Sequence, residues 1–208
     1  MKRDILVNPA KRVGRPRVFN EGGTLNTAML TFWRRGYEST SMPVLATEMG
    51  MSAPSIYSAF GDKKALFLKA LDLYVGDLAA IKSHLDKAST AYEAARAMLQ
   101  ASVIRFTTPQ NPRGCMLASA TASCSAESAD VQIESAKKRA GIENILKARI
   151  KTDLELKILP SETSAASLAA LIIAVIQGLS VLARDGASRK KLLSVVEAVM
   201  VSWTISQV

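Results

Sequence analysis

The side chains best suited to catalysis or metal binding are few in this chain and widely spaced. Its single histidine, His84, lies in a helical segment with no cysteine or carboxylate pair at metal-ligand spacing. No nucleophile–base–acid set can be built around one histidine, and no glycine-rich phosphate loop follows a strand. We therefore expect neither an enzyme nor a bound metal or other cofactor, and we expect His84 to lie at the surface or at a helix end.

The two cysteines, Cys115 and Cys124, are the remaining reactive groups. On one continuous helix they would lie about 13.5 Å apart along the axis, beyond the roughly 7 Å between Cα atoms that a disulfide spans. A bond between them would need a broken helix, so free buried thiols are the simpler expectation. Cys115 follows a Pro-Arg-Gly turn at a predicted helix start, which favours a thiolate. A redox or electrophile sensor is therefore the alternative.

The elements most clearly specified by the sequence are two short helices joined by a tight turn. Ser41 and Ser52 are placed to cap them, and Pro43 and Pro54 fall in their first turns, where a missing N–H costs nothing. Gly50 allows the chain to swing round between them. We interpret the pair as a helix-turn-helix, whose second helix can enter a DNA major groove. A purely structural helix pair is the alternative interpretation.

Helices are predicted on both sides of this pair. Upstream, apolar residues at helical spacing predict a helix that supplies the core of the unit. They are Leu25, Ala28, Met29 and Phe32. Downstream, Asp62 is a suitable N-cap for a longer amphipathic helix, which we expect to run to about Leu85. Low aromatic content (5%) and the absence of regularly alternating strands place the chain in the all-α class.

The segment from Phe32 to Phe67, FWRRGYESTSMPVLATEMGMSAPSIYSAFGDKKALF, resembles the TetR family of bacterial transcription regulators. The resemblance lies in aromatic-x-x-x-Gly-Tyr, Thr-Ser before the second helix, the glycine turn and Tyr-x-x-Phe-x-x-Lys. It implies an N-terminal three-helix helix-turn-helix domain followed by a helical ligand-binding and dimerisation domain, about nine helices in all. We expect a basic flexible arm at 1–20, the DNA-binding domain at 21–66 and the second domain at 67–208.

The same resemblance implies a sequence-specific DNA-binding regulator, a repressor released from its operator by a small-molecule effector. It places four residues at family positions that contact phosphate: Thr40, Ser41, Tyr57 and Lys63. The exposed side of the third helix adds Ser52, Ala53, Pro54, Ser55 and Ser58, while Ile56 and Phe60 turn inward. The exposed side chains of the third helix are too short for bidentate contacts to bases. Contacts to thymine methyl groups, serine contacts and DNA shape must therefore carry more of the specificity.

Positive charge is concentrated in front of the helix-turn-helix. Net charge is +9, and the first 17 residues hold six Lys or Arg against Asp4 alone. An isolated basic tail is usually a solvated end, but next to a DNA-binding helix such residues release the counterions condensed on phosphates. The GRPR segment is short and Arg-rich, which suits an arm in a minor groove. We therefore expect Arg12, Arg15 and Arg17 to contact DNA.

The last two helices are predicted to form a dimer interface. No charged residue occurs from Thr163 to Ala183, and small residues recur there at every fourth position. The expected interface comprises Ala166, Ala170, Ala174 and Gly178 in the first helix and Leu192, Val195, Val199 and Trp203 in the second. A two-fold copy would complete a four-helix bundle. A core within one protomer and a membrane span are the alternatives.

The effector site is specified least. Candidate pocket residues are Met98, Phe106, Cys115 and Met116, and plain core is an equally good interpretation of each. The expected partners are an operator duplex, an unidentified small molecule and a second copy of the chain, with no membrane. Because the N-terminus turns polar after Val7 and has no secretory hydrophobic region, we expect a cytoplasmic protein. The alternative is a helical ligand-binding or thiol-based sensor protein in which the helix-turn-helix is structural.

Overall fold

The computed structural model describes residues 21–119 and 128–205, and these residues contain ten α-helices and no strand. In chain order the helices are α1 (Glu21–Arg35), α2 (Met42–Met49), α3 (Ala53–Phe60), α4 (Lys63–Val75), α5 (Leu78–Asp86), α6 (Ala91–Thr107), α7 (Met116–Ser119), α8 (Ala129–Glu155), α9 (Ala165–Arg184) and α10 (Arg189–Ile205). The predicted all-α class, with a helix-turn-helix unit ahead of a larger helical part, is confirmed.

The caps predicted for α2 and α3 are present. The Ser41 hydroxyl accepts a hydrogen bond from Val44 N at 3.4 Å, and the Ser52 hydroxyl accepts one from Ser55 N at 3.3 Å. Gly50 ends α2 with φ of 64°, a left-handed conformation that only glycine adopts readily. The turn between the two helices is therefore fixed by local chemistry.

One expectation about helix continuity was wrong. The helix expected from Asp62 to about Leu85 is broken, because Gly76 has a φ of 74° and the Asp77 carboxylate accepts from Ala79 N at 2.8 Å to start α5. This break accounts for ten helices where about nine were expected. In contrast, α8 continues without a break through Gly141. A Cβ there would lie 3.1 Å from Leu78 Cδ1, so this glycine lets α5 lie close against α8.

The helix-turn-helix unit and the larger helical part share one apolar core. α1 packs mainly against α4, and α4 also packs against α8, so the boundary expected after residue 66 falls inside a helix that joins both parts. Phe32 of α1 and Phe67 of α4 meet edge to face, with ring centroids 5.1 Å apart. Further along, α6 packs against α8, α9 and α10 and forms the centre of the larger part.

A buried ion pair fixes the connection between α5 and α6. Arg149 and Asp153 pair on α8, and the second carboxylate oxygen of Asp153 accepts from Ala91 N at 2.6 Å. The Arg149 guanidinium also donates to the carbonyl oxygens of Ala88 and Ser89, at 3.2 and 3.1 Å. Because both charges are paired and hydrogen-bonded, the cost of burying them is offset.

α9 is long and apolar enough to span a membrane by length and composition alone, a test that core helices of soluble proteins also pass. Here its inner side is buried against α6 and α8. Its other side, which carries the small residues at every fourth position, is exposed. The helix therefore has one packed face and one open face.

Candidate functional site

The outer side of α3 is free because its inner side is anchored in the core. Ile56 and Phe60 are buried, as expected, and hold the helix in the core, where α3 packs against α2. The residues expected on the outside lie there: Ser52, Pro54, Ser55, Tyr57 and Ser58 are exposed, and Ala53 is partly exposed. The side chain of Tyr57 is half exposed (51%) although it is large and aromatic. This face carries small groups, hydroxyls and one phenol.

Lys63 is oriented by an aromatic cluster at the start of α4. Its ammonium nitrogen lies 4.2 Å from the centroid of the Tyr37 ring, a cation–π contact. Tyr37 in turn packs edge to face with Phe67 at 5.0 Å. Partial burial lowers the pKa of Lys63, while the nearby Glu38 carboxylate acts to raise it. The ammonium group is therefore held in place next to α3 rather than moving freely.

The expected phosphate contact from Thr40 is contradicted. Thr40 is fully buried, and its hydroxyl donates to the Gly36 carbonyl oxygen at 2.6 Å. A group without exposed surface cannot reach a DNA phosphate. Its hydroxyl instead secures the turn between α1 and α2, while the neighbouring Ser41 is exposed.

The described part of the DNA-binding unit has no net charge. Residues 21–64 contain four basic and four acidic residues, so the excess positive charge of this end of the chain lies in residues 1–20. Arg12, Arg15 and Arg17, which were expected to contact DNA, lie outside the described residues. Any strong attraction to a polyanion at this end must therefore come mainly from the arm.

A cavity of about 500 Å³ lies in the larger helical part, with a wall formed largely by apolar side chains of α4, α5, α6, α8 and α9. Met98, Phe106 and Cys115, three of the four expected pocket residues, lie on the wall. Met116 does not, because it is buried in the core on α7. His84, in the last turn of α5, is exposed where the cavity reaches the surface.

The cavity wall contacts the end of α1 through Tyr74 and Arg105, which both pack on Trp33. The Arg105 guanidinium, on the cavity wall, lies 3.7 Å from the centroid of the Tyr74 ring and 5.4 Å from that of Trp33. It also donates to the Tyr74 carbonyl oxygen at 2.6 Å. Trp33 is buried and donates from Nε1 to the Gly114 carbonyl oxygen at 2.8 Å. Sequence reasoning missed this cluster because its members lie far apart in the chain.

A second contact joins α9 to the same end of α1. Arg184 donates to the Trp33 carbonyl oxygen at 2.9 Å, which supplies a partner to the C-terminus of α1. Gly114 is packed closely here, since a Cβ on it would lie 2.8 Å from Arg184 Cγ and from the Ser180 carbonyl oxygen. Residues from α1, α6, α9 and the link before α7 therefore meet at one point.

Cys115 is buried and hydrogen-bonded at both backbone and side chain. The Tyr74 hydroxyl donates to its sulfur at 3.4 Å, and its backbone N–H donates to the Ser180 hydroxyl at 2.8 Å. Burial raises the pKa of Tyr74 well above its ordinary value, so the phenol stays protonated and remains a donor. Cys124 lies outside the described residues, and the expected separation of the two thiols remains a prediction.

The expected interface residues fall into two groups. Ala166, Ala170, Ala174 and Gly178 are all exposed, with exposed Leu171 and Val181 beside them. In contrast, Leu192 and Trp203 are buried within their own chain as part of the core that α10 forms with α6, so the expectation that they face a partner was wrong. Val195 and Val199 are partly buried. On α10 the large apolar side chain of Val201 is exposed (58%), which the sequence pattern had not indicated.

Comparison with known proteins places this geometry among DNA-binding regulators. Residues 24–70 match the family described as bacterial regulatory proteins, tetR family. The chain is 31% identical over 195 residues to the HTH-type transcriptional repressor ComR of Escherichia coli (strain K12), covering 93% of each chain. It is also 35% identical to a cysteine mutant of the TetR family transcriptional regulator CifR in complex with 26-bp operator DNA, with a TM-score of 0.85, covering 91% of this chain and 100% of that one.

Proposed function

Because the chain belongs to the TetR family of bacterial regulatory proteins, we propose that it is a cytoplasmic, homodimeric repressor that leaves its operator when a small molecule occupies the cavity. The observation that carries this proposal is the anchoring of α3 by Ile56 and Phe60, which leaves a capped helix face open to a DNA groove. The operator complex of the CifR mutant and the repressor function in the name of ComR support it.

In this proposal α3 lies in the major groove and its flanks hold the phosphates. Ser52, Ala53, Pro54, Ser55 and Ser58 approach the base edges closely, because none of them is longer than serine or proline. Tyr57 and Lys63 donate to the phosphate backbone on either side, and Ser41 donates at the start of α2. Arg12, Arg15 and Arg17 follow a neighbouring minor groove and supply the net positive charge that residues 21–64 do not have.

The proposed dimer brings two α3 helices to successive major grooves. A two-fold dimer of this kind reads half-sites about 34 Å apart, one helical turn of DNA. The exposed small residues of α9 allow a second copy to approach closely, and Leu171, Val181 and Val201 add apolar area around them. Val195 and Val199 lie at the margin of this surface. Dimer geometry then sets the distance between the recognition helices.

Release follows from the shared contacts of the cavity and α1. Tyr74 and Arg105 line the cavity, and the same two residues pack on Trp33 at the end of α1. A ligand that displaces either of them changes the support of α1 and, through it, the position of α2 and α3. Binding therefore favours a geometry in which the two recognition helices no longer match successive grooves.

The test is a fluorescence anisotropy titration of the full chain with duplexes from the region upstream of its own gene, at several salt concentrations. A selective repressor should bind one fragment at least about 10³-fold more tightly than scrambled DNA of equal composition. Affinity should fall linearly on a logarithmic scale with salt. Equal affinity for every fragment, including the scrambled control, would refute sequence-specific regulation.

A further inference from the structure

The cavity wall carries more positive than negative side chains, and the two kinds lie in different places. Two guanidinium groups, Arg105 and Arg139, line it, against one carboxylate among the described residues, Asp77. Asp77 is exposed at the rim and already accepts a hydrogen bond from Ala79 N at the start of α5. The carboxylate therefore lies at the entrance, and its negative charge faces the positive end of a helix.

Arg105 is partly buried on the cavity wall, beside the buried side chain of Tyr74. Its guanidinium stacks on Tyr74, and the hydroxyl of Tyr74 donates to Cys115, which is buried. Among the described residues no carboxylate lies within ion-pair distance of Arg105, and one of its nitrogens donates to the Tyr74 carbonyl. A guanidinium has five N–H donors in a fixed fork that matches a carboxylate. Donors and positive charge are thus available on the wall of a largely apolar space.

Apart from Arg139 and the rim carboxylate of Asp77, the side chains that line the rest of the wall among the described residues are mainly apolar. Ile173, Ile176 and Phe106 provide a buried apolar surface, and Arg139 adds a second positive charge while donating to the Leu117 carbonyl oxygen at 3.2 Å. Pockets of about 300–1,000 Å³ hold small organic ligands and bury most of their surface. The space therefore suits an apolar body with one negative end.

We propose that the effector is an apolar small molecule with a carboxylate head group, and that Arg105 binds this head group beside Tyr74 on the cavity wall. The proposal rests on the proposed function in taking the cavity as the effector site. A carboxylate on Arg105 competes with the Tyr74 carbonyl oxygen for the same guanidinium. The residue that recognises the ligand is therefore one of those that support Trp33 and the end of α1.

The test compares three eight-carbon probes that differ only in the head group: octanoate, octan-1-ol and octylammonium. Calorimetric titration of the full chain near pH 7, without DNA, measures the binding of each, because octanoate is then ionised and the amine protonated. Octanoate should bind at least about tenfold more tightly than octan-1-ol, the ratio expected for one charge-assisted contact. Octylammonium should bind most weakly.

Substitutions then assign the preference to one residue. Arg105→Met should remove the advantage of octanoate over octan-1-ol, because octanoate binding should weaken far more than octan-1-ol binding. Arg105→Lys, which keeps the charge but not the fork, should retain part of the preference. The matched control is Arg96→Met on the same helix, since Arg96 pairs with Glu197 and does not line the cavity. It should behave as the wild type.

Several results would overturn the proposal: equal or weaker binding of octanoate relative to octan-1-ol, tightest binding of octylammonium, no saturable octanoate binding, or an unchanged preference in Arg105→Met. The ranking in the wild-type protein decides the matter even where Arg105→Met does not fold. Octanoate binding by a protein without operator affinity would refute repression but leave the ligand class intact. Operator binding without any octanoate preference would refute the proposed ligand class but leave repression intact.

Discussion

Two faces of this molecule expose small side chains, the outer side of α3 and the outer side of α9, and their surroundings make them different surfaces. Ala53, Ser55 and Ser58 on α3 lie next to the phenol of Tyr57 and the ammonium of Lys63. On α9 the small residues instead have Leu171 and Val181 as exposed neighbours. Small residues permit close approach in both places, and the flanking groups suit the two partners of the proposed function: a polyanion on α3 and an apolar protein surface on α9.

The two faces also differ in how salt should affect them. Contacts to phosphate release counterions and weaken steeply with salt. Burial of apolar area is not weakened in this way. A salt titration can therefore distinguish damage to one face from damage to the other, and the following substitutions use that difference.

The largest expected effect comes from filling the α9 face. Ala174→Leu places a branched side chain where a second copy must approach, and overpacking costs about 1–3 kcal/mol per site. The proposed dimer would contain two such sites, so we expect a shift to monomer in sedimentation and loss of operator binding at all salt concentrations. Helicity should be retained, because Ala174 is exposed in the protomer.

Two further variants test whether this effect is specific to the α9 face. Ala148→Leu is the matched control, an exposed alanine on α8 that should leave dimer and operator binding intact. Gly178→Leu repeats the test at a second position on α9. A Cβ added to Gly178 would have no atom of a neighbouring element of its own protomer within 4 Å. If both α9 variants remain dimeric, the interface lies elsewhere.

The second largest effect is expected from the arm. Deleting residues 1–17 removes six positive charges and one negative charge. At about 0.9 per phosphate contact, the slope of log affinity against log salt should fall by up to about five, and low-salt affinity by about a hundredfold or more. The melting temperature should change little, since the arm has no apolar periodicity. As a control, an arm of equal length with its Lys and Arg changed to Ser should behave like the deletion. If the deletion leaves low-salt affinity unchanged, the arm does not contact DNA.

An intermediate effect is expected from the support beneath the α3 face. Trp33→Phe removes the N–H that donates to the Gly114 carbonyl oxygen and leaves that buried acceptor without its donor, a loss of about 1–3 kcal/mol in unfolding free energy. Trp203→Phe is the matched control, because Trp203 Nε1 is buried without a hydrogen-bond partner among the described residues. Urea unfolding should show the larger loss for Trp33→Phe. Equal losses would mean that ring volume, and not this hydrogen bond, determines both.

Local signals explain what could be predicted from the sequence. Ser41, Ser52, Gly50 and the prolines act within one turn of their own position, so the helix-turn-helix and its inward residues Ile56 and Phe60 were identifiable. The same is true of the small residues on α9. In each case the physical cause lies within a few positions of the residue concerned.

What could not be predicted depends on which elements meet in space. The apolar face of α10 was identified, but periodicity does not specify its partner; Leu192 and Trp203 pack within their own chain. The family pattern did not reveal that Thr40 is buried and bonded to Gly36. In the sequence Arg105 does not differ from the other basic residues. Its role depends on its contacts with Tyr74 of α4 and Trp33 of α1, which only the fold brings together. Such contacts have no local sequence signal.

The smallest expected effect concerns a single ammonium group on the α3 side of the comparison. Lys63→Ala should lower operator affinity by roughly tenfold or less, lower scrambled-DNA affinity equally, and reduce the salt slope by about one, because a phosphate contact carries no base information. The adjacent Lys64→Ala is the control, since Lys64 pairs with Asp130 of α8 and should leave the salt slope unchanged. Anisotropy titrations of both variants over the same salt series give the answer. If Lys64→Ala changes the slope and Lys63→Ala does not, the cation–π contact with Tyr37 holds Lys63 for stability, and the DNA contacts this end of α4 through Lys64 instead.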